Sequence, residues 1–223
     1  VTKPRLATAV KESFSKAQAV THIGLGSGKV EKVASNRRIL GPEGRVILQR
    51  QSAGGKSPAA REAPEGTVDP LVRLITFWNA DKAVAALTYY ATHPQSYYGK
   101  GDVTAEFVGL ARAQRQKELP GPMHIHFNGA SGNVAAGKYN DGSPAMRPVL
   151  TSRMAAAMKQ AWESVTRVPL PREIAWRTVS VALPKGAHIE RGPLNAKLTD
   201  AASKFEDRRE AAIHLAWLDR VEA

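Results

Sequence analysis

The sequence contains no cysteine among its 223 residues, which excludes disulfide bonds, thiolate metal sites and cysteine nucleophiles together. This absence leaves the compartment open, because a cysteine-free chain is compatible with oxidising and reducing surroundings. No apolar run reaches the roughly 18 residues that a membrane-spanning helix needs. The first residues, Val1-Thr2-Lys3-Pro4, lack the features of a secretory leader and an initial Met. We therefore expect an internal piece of a longer protein.

Acidic residues are also few compared with basic ones. The chain has 32 Lys and Arg against 20 Asp and Glu, a net charge of +12, which favours nucleic acid or an anionic membrane surface as peripheral partner. The basic residues are scattered, however, without a nucleic-acid module or interleaved aromatic residues, which make up only 6% of the chain. Composition thus favours a basic solvated surface, and we expect no specific nucleic-acid partner.

The apolar pattern predicts an α/β fold, with a mixed β-sheet core covered by helices. Two apolar runs, Leu71 to Trp78 and Ala83 to Ala91, are separated by turn residues and predict adjacent antiparallel strands. Further strands are predicted at 29–33, 45–49, 123–127 and 173–183, and helices at 4–20, 103–117, 143–165 and 204–221. Residues 52–70 are rich in Gly, Pro and charge and predict a flexible surface loop.

Three histidines are candidate metal ligands. His93 ends a predicted strand, where active sites of α/β domains gather, but a catalytic zinc ion usually takes three protein ligands. Its position alone favours a structural histidine. His124 and His126 alternate along one strand and share a face, so they could chelate a metal or simply form a partly polar strand face.

Glycine-rich segments give weaker signals. In the loop from Asn128 to Gly137, exposed amides could form an oxyanion hole, although an ordinary loop is equally compatible. Two segments resemble phosphate-binding loops, but Gly24 to Lys29 lacks the following Ser or Thr, and Gly54 to Ser57 lacks the first glycine. We interpret neither as a nucleotide site.

Taken in order, five features resemble the neutral/alkaline (non-lysosomal) ceramidase family. They are the segments 28–38 (GKVEKVASNRR), 68–77 (VDPLVRLITF), 87–94 (LTYYATHP), an aspartate at Asp102 before a helix, and the loop 128–137. The resemblance covers roughly residues 20–140. It implies that residues 1–223 form a single incomplete domain, an internal fragment of an N-terminal catalytic domain.

The resemblance also implies a function and residue roles. It implies a Zn²⁺-dependent hydrolase that cleaves the N-acyl amide bond of ceramide or a related lipid amide, in a secreted or periplasmic protein. His93 resembles the family's histidine that binds zinc, and Arg37 resembles its active-site arginine. Asp102 would orient His93 or bind substrate, and Gly132 and Asn133 would line the reacting carbonyl.

Two departures from the family pattern leave the function open. Ala135 stands where the family has a serine that acts on the amide, so a zinc-bound water would have to attack. The other zinc ligands of the family fall outside this chain. Two functions therefore remain: an amidohydrolase whose activity needs flanking segments, and a non-catalytic binding module on the same scaffold.

Overall fold

The computed structural model describes residues 2–54, 57–97, 103–173, 175–181, 184–186 and 189–222. In chain order the elements are α1 (Thr2–Phe14), β1 (His22–Lys29), β2 (Ser35–Asn36), β3 (Arg38–Leu40), β4 (Val46–Gln49), α2 (Pro58–Glu62), β5 (Leu71–Asn79), β6 (Lys82–Tyr90), α3 (Glu106–Glu118), β7 (Met123–Asn128), β8 (Val134–Ala135), α4 (Met146–Glu163), β9 (Thr166–Pro169), α5 (Arg191–Thr199) and α6 (Phe205–Val221). The chain divides into two compact units, Val1–Arg172 and Glu173–Ala223. No helix in the described ranges is long and apolar enough to cross a membrane.

A five-stranded sheet with the order β7-β6-β5-β1-β9 organises the first unit. Strands β5 and β6 form the predicted antiparallel pair, and β1 is antiparallel to both β5 and β9. Strand β7 runs parallel to β6, a connection that needs a crossover, which here contains α3. The predicted α/β fold with a mixed sheet is confirmed.

Strand β1 allows α4 to approach the sheet unusually closely. A Cβ at Gly26 would lie 2.1 Å from the carbonyl oxygen of Ala161, and one at Gly28 would lie 2.1 Å from that of Ala157. Only glycine fits such a contact with helix backbone. The strand predicted at 29–33 is therefore wrong: the strand lies earlier, in the glycine-rich segment, because its glycines serve packing.

The core of the first unit lies where α3 and α4 pack on the sheet. Its fully buried large side chains include Val72, Tyr90, Phe107, Leu150 and Met154. Each helix interior supplies apolar residues at helical spacing toward this layer. The core holds β6 and α3 in place, and with them the chain that leads from β6 to His93.

In the second unit, the strand predicted at 173–183 is wrong for the residues described there, which form no regular element. Trp176, Val179 and Val181 are 91%, 78% and 72% exposed, so the alternating pattern has no sheet to pack on. The predicted helix at 204–221 is confirmed as α6, and α5 was not predicted. Arg191 of α5 makes ion pairs of 2.7 Å with Asp219 of α6 and with Glu222, which directly follows that helix.

Candidate functional site

Segments distant in sequence converge on the short strand β8. On one side β8 pairs antiparallel with β2, matching Ser35 with Ala135. On the other side His93 forms a parallel bridge with Ala135, and its backbone N–H donates to the carbonyl of Val134 at 2.9 Å. The loop 128–137, which resemblance singled out, therefore lies between the segment before Arg37 and the segment that carries His93.

Arg37 directly follows β2 and reaches the loop before β8. Its backbone N–H donates to the carbonyl of Asn133 at 2.7 Å. Its guanidinium makes two long hydrogen bonds to neutral acceptors, from Nη1 to the Gly132 carbonyl at 3.5 Å and from Nη2 to Oε1 of Gln51 at 3.3 Å. Its Nε is buried without a hydrogen-bond partner. The guanidinium therefore has N–H groups left that could donate to a further acceptor.

Asn133 fixes the loop against the neighbouring chain. Its Oδ1 accepts hydrogen bonds from the backbone N–H of Arg38 at 3.0 Å and from Nη1 of the same residue at 3.4 Å. Gly132 and Asn133 are both exposed. The Oδ1 atom is thereby occupied within the protein, and the Asn133 amide can offer a ligand only its NH₂ group.

A cleft of about 350 Å³ lies next to these segments and is lined by Gln51, Ser52, Ala53 and Gln95. Gln51 is also the acceptor of the Arg37 guanidinium. The backbone N–H of Gln95 donates to the carbonyl of His93 at 2.9 Å. Residues that line the cleft are therefore hydrogen-bonded to both Arg37 and His93.

Two residues beside the cleft differ sharply in burial. The ring of His93 is exposed, whereas the preceding Thr92 is fully buried. The Oγ1 of Thr92 has no hydrogen-bond partner, although buried hydroxyls are normally paired. The strand end thus presents an imidazole to solvent and leaves one hydroxyl unpaired beneath it.

Arg50 is a buried residue that holds the segment around Arg37 in place. Its role was not predicted from the sequence. It is 1% exposed, and its backbone N–H donates to the carbonyl of Arg37 at 2.8 Å. Its guanidinium donates to the carbonyls of Asn36, Ala60, Ala63 and Pro64 and to Oδ1 of Asn36. One buried side chain thus fastens the segment around α2, within the loop predicted at 52–70, to the strand that positions Arg37.

The charge of Arg50 is only indirectly balanced. Burial lowers its pKa, while the nearby Tyr139 and Glu65 raise it. The Tyr139 hydroxyl donates to the Glu65 carboxylate, and burial, followed by this hydrogen bond, raises the pKa of Tyr139 to about 12. No feature of the sequence distinguished Arg50 from the other basic residues, because its role depends on carbonyls that the folded chain gathers around its guanidinium.

A second network, also not predicted, fixes the chain after His93. The buried Ser96 donates its backbone N–H and its hydroxyl to Oε2 of Glu106, at 3.0 and 2.6 Å. Arg147 of α4 pairs with Oε1 of Glu106 at 3.0 Å and stacks on the ring of Tyr97, 3.9 Å from its centroid. Glu106 has a φ of 52°, a costly conformation for a non-glycine residue that these contacts maintain.

The other two histidines do not join His93 in a metal site. His124 is buried, with its Nε2 3.2 Å from the carbonyl of Leu119 and its ring 6.3 Å from that of Trp162. His126 lies on β7 opposite Thr88, with 2.9 Å between its Nδ1 and the Thr88 Oγ1. Burial lowers the pKa of His124, and it lowers the pKa of His126 to about 4. Both rings are best explained as neutral parts of the sheet.

The described residues do not fit a zinc ion. Within the ranges that the structure covers, no group of three or more His, Cys, Asp or Glu side chains could hold a metal. Asp102, predicted to orient His93 or bind substrate, lies outside the described residues. Of the residues predicted for the site, the structure brings together His93, Arg37, Gly132 and Asn133 around β8, next to the cleft, and they form no metal centre among the described residues.

Comparison with known proteins gives a similarity of fold over part of the chain. The solved structure of a neutral ceramidase from Pseudomonas aeruginosa matches with 16% identity and a TM-score of 0.47, covering 64% of this chain and 22% of that one. A ceramidase complexed with C2 matches with 14% identity and a TM-score of 0.46 at the same coverage. No family model and no curated protein matches the sequence. The chain therefore spans about 22% of the length of these structures, and the likeness at this identity concerns the backbone fold alone.

Proposed function

We propose that this chain carries the substrate-binding part of a ceramidase-like zinc amidohydrolase, which cleaves the N-acyl amide bond of ceramide or a related lipid amide. The observation that carries the proposal is the convergence on β8 of His93, Arg37, Gly132 and Asn133. Their sequence motifs resemble those of the ceramidase family. A secreted or periplasmic location belongs to the same proposal.

The donor groups near the cleft suit an amide carbonyl. A carbonyl oxygen gains negative charge as its carbon is attacked, and fixed donors aimed at that oxygen stabilise the change. Nη1 and Nη2 of Arg37 each make one long hydrogen bond to a neutral acceptor and keep a further N–H, and the exposed Asn133 retains its NH₂ group. The proposed role of Arg37 and Asn133 is to bind the acyl carbonyl. A zinc ion would need ligands beyond the described residues, so no step is assigned to it.

The test is binding of N-hexanoyl sphingosine to the purified chain, measured by calorimetry. We expect Arg37→Ala to weaken binding roughly ten- to hundredfold, since a hydrogen bond to a charged group contributes about 1.5–3 kcal/mol. Arg37→Lys should restore only part of the affinity, because an ammonium lacks the planar fork of donors. Arg45→Ala, at an exposed position, is the matched control and should bind like the parent protein. Unchanged affinity in Arg37→Ala would contradict the proposal.

The alternative is a non-catalytic binding module on the same scaffold. The lack of a metal-holding group among the described residues favours it, as does Ala135 at the position where the family has a serine. Hydrolysis should therefore be measured beside binding, with added zinc. Binding together with amide cleavage supports the enzyme, binding without cleavage supports the module, and the absence of binding contradicts both.

A further inference from the structure

The helix α1 is exposed along its whole length. None of its 13 residues is buried, and Leu6, Val10 and Phe14 are 64%, 51% and 76% exposed. Single exposed apolar residues are ordinary on protein surfaces, but an aligned set is not. Leu6, Val10 and Phe14 therefore form an exposed apolar stripe on α1.

The three apolar side chains lie on one face. They are spaced four residues apart, so each lies about one helical turn from the next. Lys3, Ala7 and Lys11 line the same shallow groove as Leu6, Val10 and Phe14. Lysine stems can lie along apolar surface while their ammonium groups reach outward. The face thus combines an apolar stripe with cations directly beside it.

The charge of α1 discriminates between possible occupants. The helix has three basic residues, Lys3, Arg5 and Lys11, and one acidic residue, Glu12, which gives a net charge of +2. Pairing two copies through this stripe would bring two such helices together and oppose association. An anionic lipid surface instead attracts the cations and accepts the apolar side chains.

We propose that α1 binds the surface of anionic lipid bilayers. The helix lies in the plane of the interface, with Leu6, Val10 and Phe14 at the boundary of the acyl chains and Lys3 and Lys11 near the lipid phosphates. This inference rests on α1 alone and does not depend on the proposed function. Should the cleft bind a lipid amide, the same contact would concentrate the protein where that ligand resides.

The experiment is co-sedimentation of the full chain with vesicles of phosphatidylcholine alone or of an equimolar mixture with phosphatidylglycerol. We expect binding to the mixed vesicles and little binding to phosphatidylcholine. The variant Phe14→Asp should lose most of this binding. A Lys3→Glu/Lys11→Glu variant should bind at least about 25-fold more weakly, since each cation near such a surface is worth about fivefold in affinity.

Two exposed positions elsewhere provide matched controls. Ile213→Asp removes a helical apolar side chain that is 58% exposed, and Arg45→Glu reverses an exposed charge; both should bind mixed vesicles like the parent protein. Equal binding to both vesicle types, full binding by Phe14→Asp, or no binding by the parent chain would overturn the proposal. So would concentration-dependent dimerisation, seen by light scattering and abolished by Phe14→Asp, because a second copy would then cover the stripe.

Discussion

Acidification should destabilise the sheet through His126. Its ring lies partly buried on β7, with Nδ1 beside the Thr88 hydroxyl and Nε2 buried without a partner. Since the Thr88 hydroxyl also donates to the carbonyl of Ile125 at 3.2 Å, the neutral tautomer with the proton on Nδ1 satisfies this arrangement. Protonation would add a charge and an N–H group at the buried Nε2, and hydrogen bonding with the Asn128 side chain offsets only part of this cost.

The sign and size of the effect follow from linkage. The unfolded chain protonates this histidine near its ordinary pKa of 6.5, whereas burial lowers the pKa in the folded protein to about 4. Stability is therefore complete above pH 6.5 and is lost as the pH falls from 6.5 toward 4. For a fully buried ring, this difference in pKa would lower the free energy of unfolding by about 2 kcal/mol between pH 7.5 and pH 5. Because the ring is partly exposed, we expect a loss of roughly 1 kcal/mol. His124, whose pKa burial also lowers, adds in the same direction.

The assay is urea denaturation at about pH 7.5 and pH 5, followed by circular dichroism, with the ring titration of His126 followed by NMR. In His126→Asn the loss of stability on acidification should shrink by roughly 1 kcal/mol. His93→Asn, which removes an exposed histidine, should retain the full loss. The reasoning is refuted if the parent protein is equally stable at both pH values, or if His126→Asn loses as much stability as the parent protein.

Two further predictions concern packing and the support of the cleft. Gly26→Ala should lower the free energy of unfolding by about 1–3 kcal/mol, measured by urea denaturation, because the new Cβ would meet the backbone oxygen of Ala161 at 2.1 Å. Gly121→Ala, with no atom within 4 Å of its Cβ, should leave this free energy nearly unchanged. Arg50→Met should lower the free energy of unfolding by at least about 1–3 kcal/mol, since it leaves buried loop carbonyls without a donor, and should speed proteolysis near α2. The exposed Arg45→Met is its control, and equal stability of the two variants would argue against a supporting role for Arg50.

The sequence predicts those parts of the fold whose signal is local. Strands β5 and β6 were predicted because their apolar runs are separated by turn residues, and α1 because its apolar residues recur at spacings of three and four; α3, α4 and α6 also correspond to predicted helices. Strand β1 was misplaced because glycine has low strand propensity, and the reason for Gly26 lies in a helix more than a hundred residues away. The pattern at 173–183 failed for the opposite reason, since alternation without a neighbouring strand does not make a sheet.

The candidate site likewise contains residues that the sequence indicates and residues that only the folded structure shows. Residue patterns alone left His93 ambiguous, and resemblance to a family, rather than spacing, singled out Arg37 and Asn133. Arg50 and the pair of Glu106 and Arg147 could not have been found from the sequence, because each acquires its role from partners that only the folded chain brings near. Buried polar networks of this kind depend on tertiary geometry, for which a single sequence has no local marker.

The charges around β8 bear on the proposed function. Arg37 and Arg38 both contact the loop before β8, and the buried Arg50 lies directly behind them through its bond to the Arg37 carbonyl. Such surroundings oppose a divalent cation unless carboxylates from elsewhere compensate. The same cations and amides favour an oxygen that gains negative charge. In the proposed function these residues would hold the polarised carbonyl of the substrate, and a zinc ion that activates the attacking water would have to be held by groups beyond the described residues.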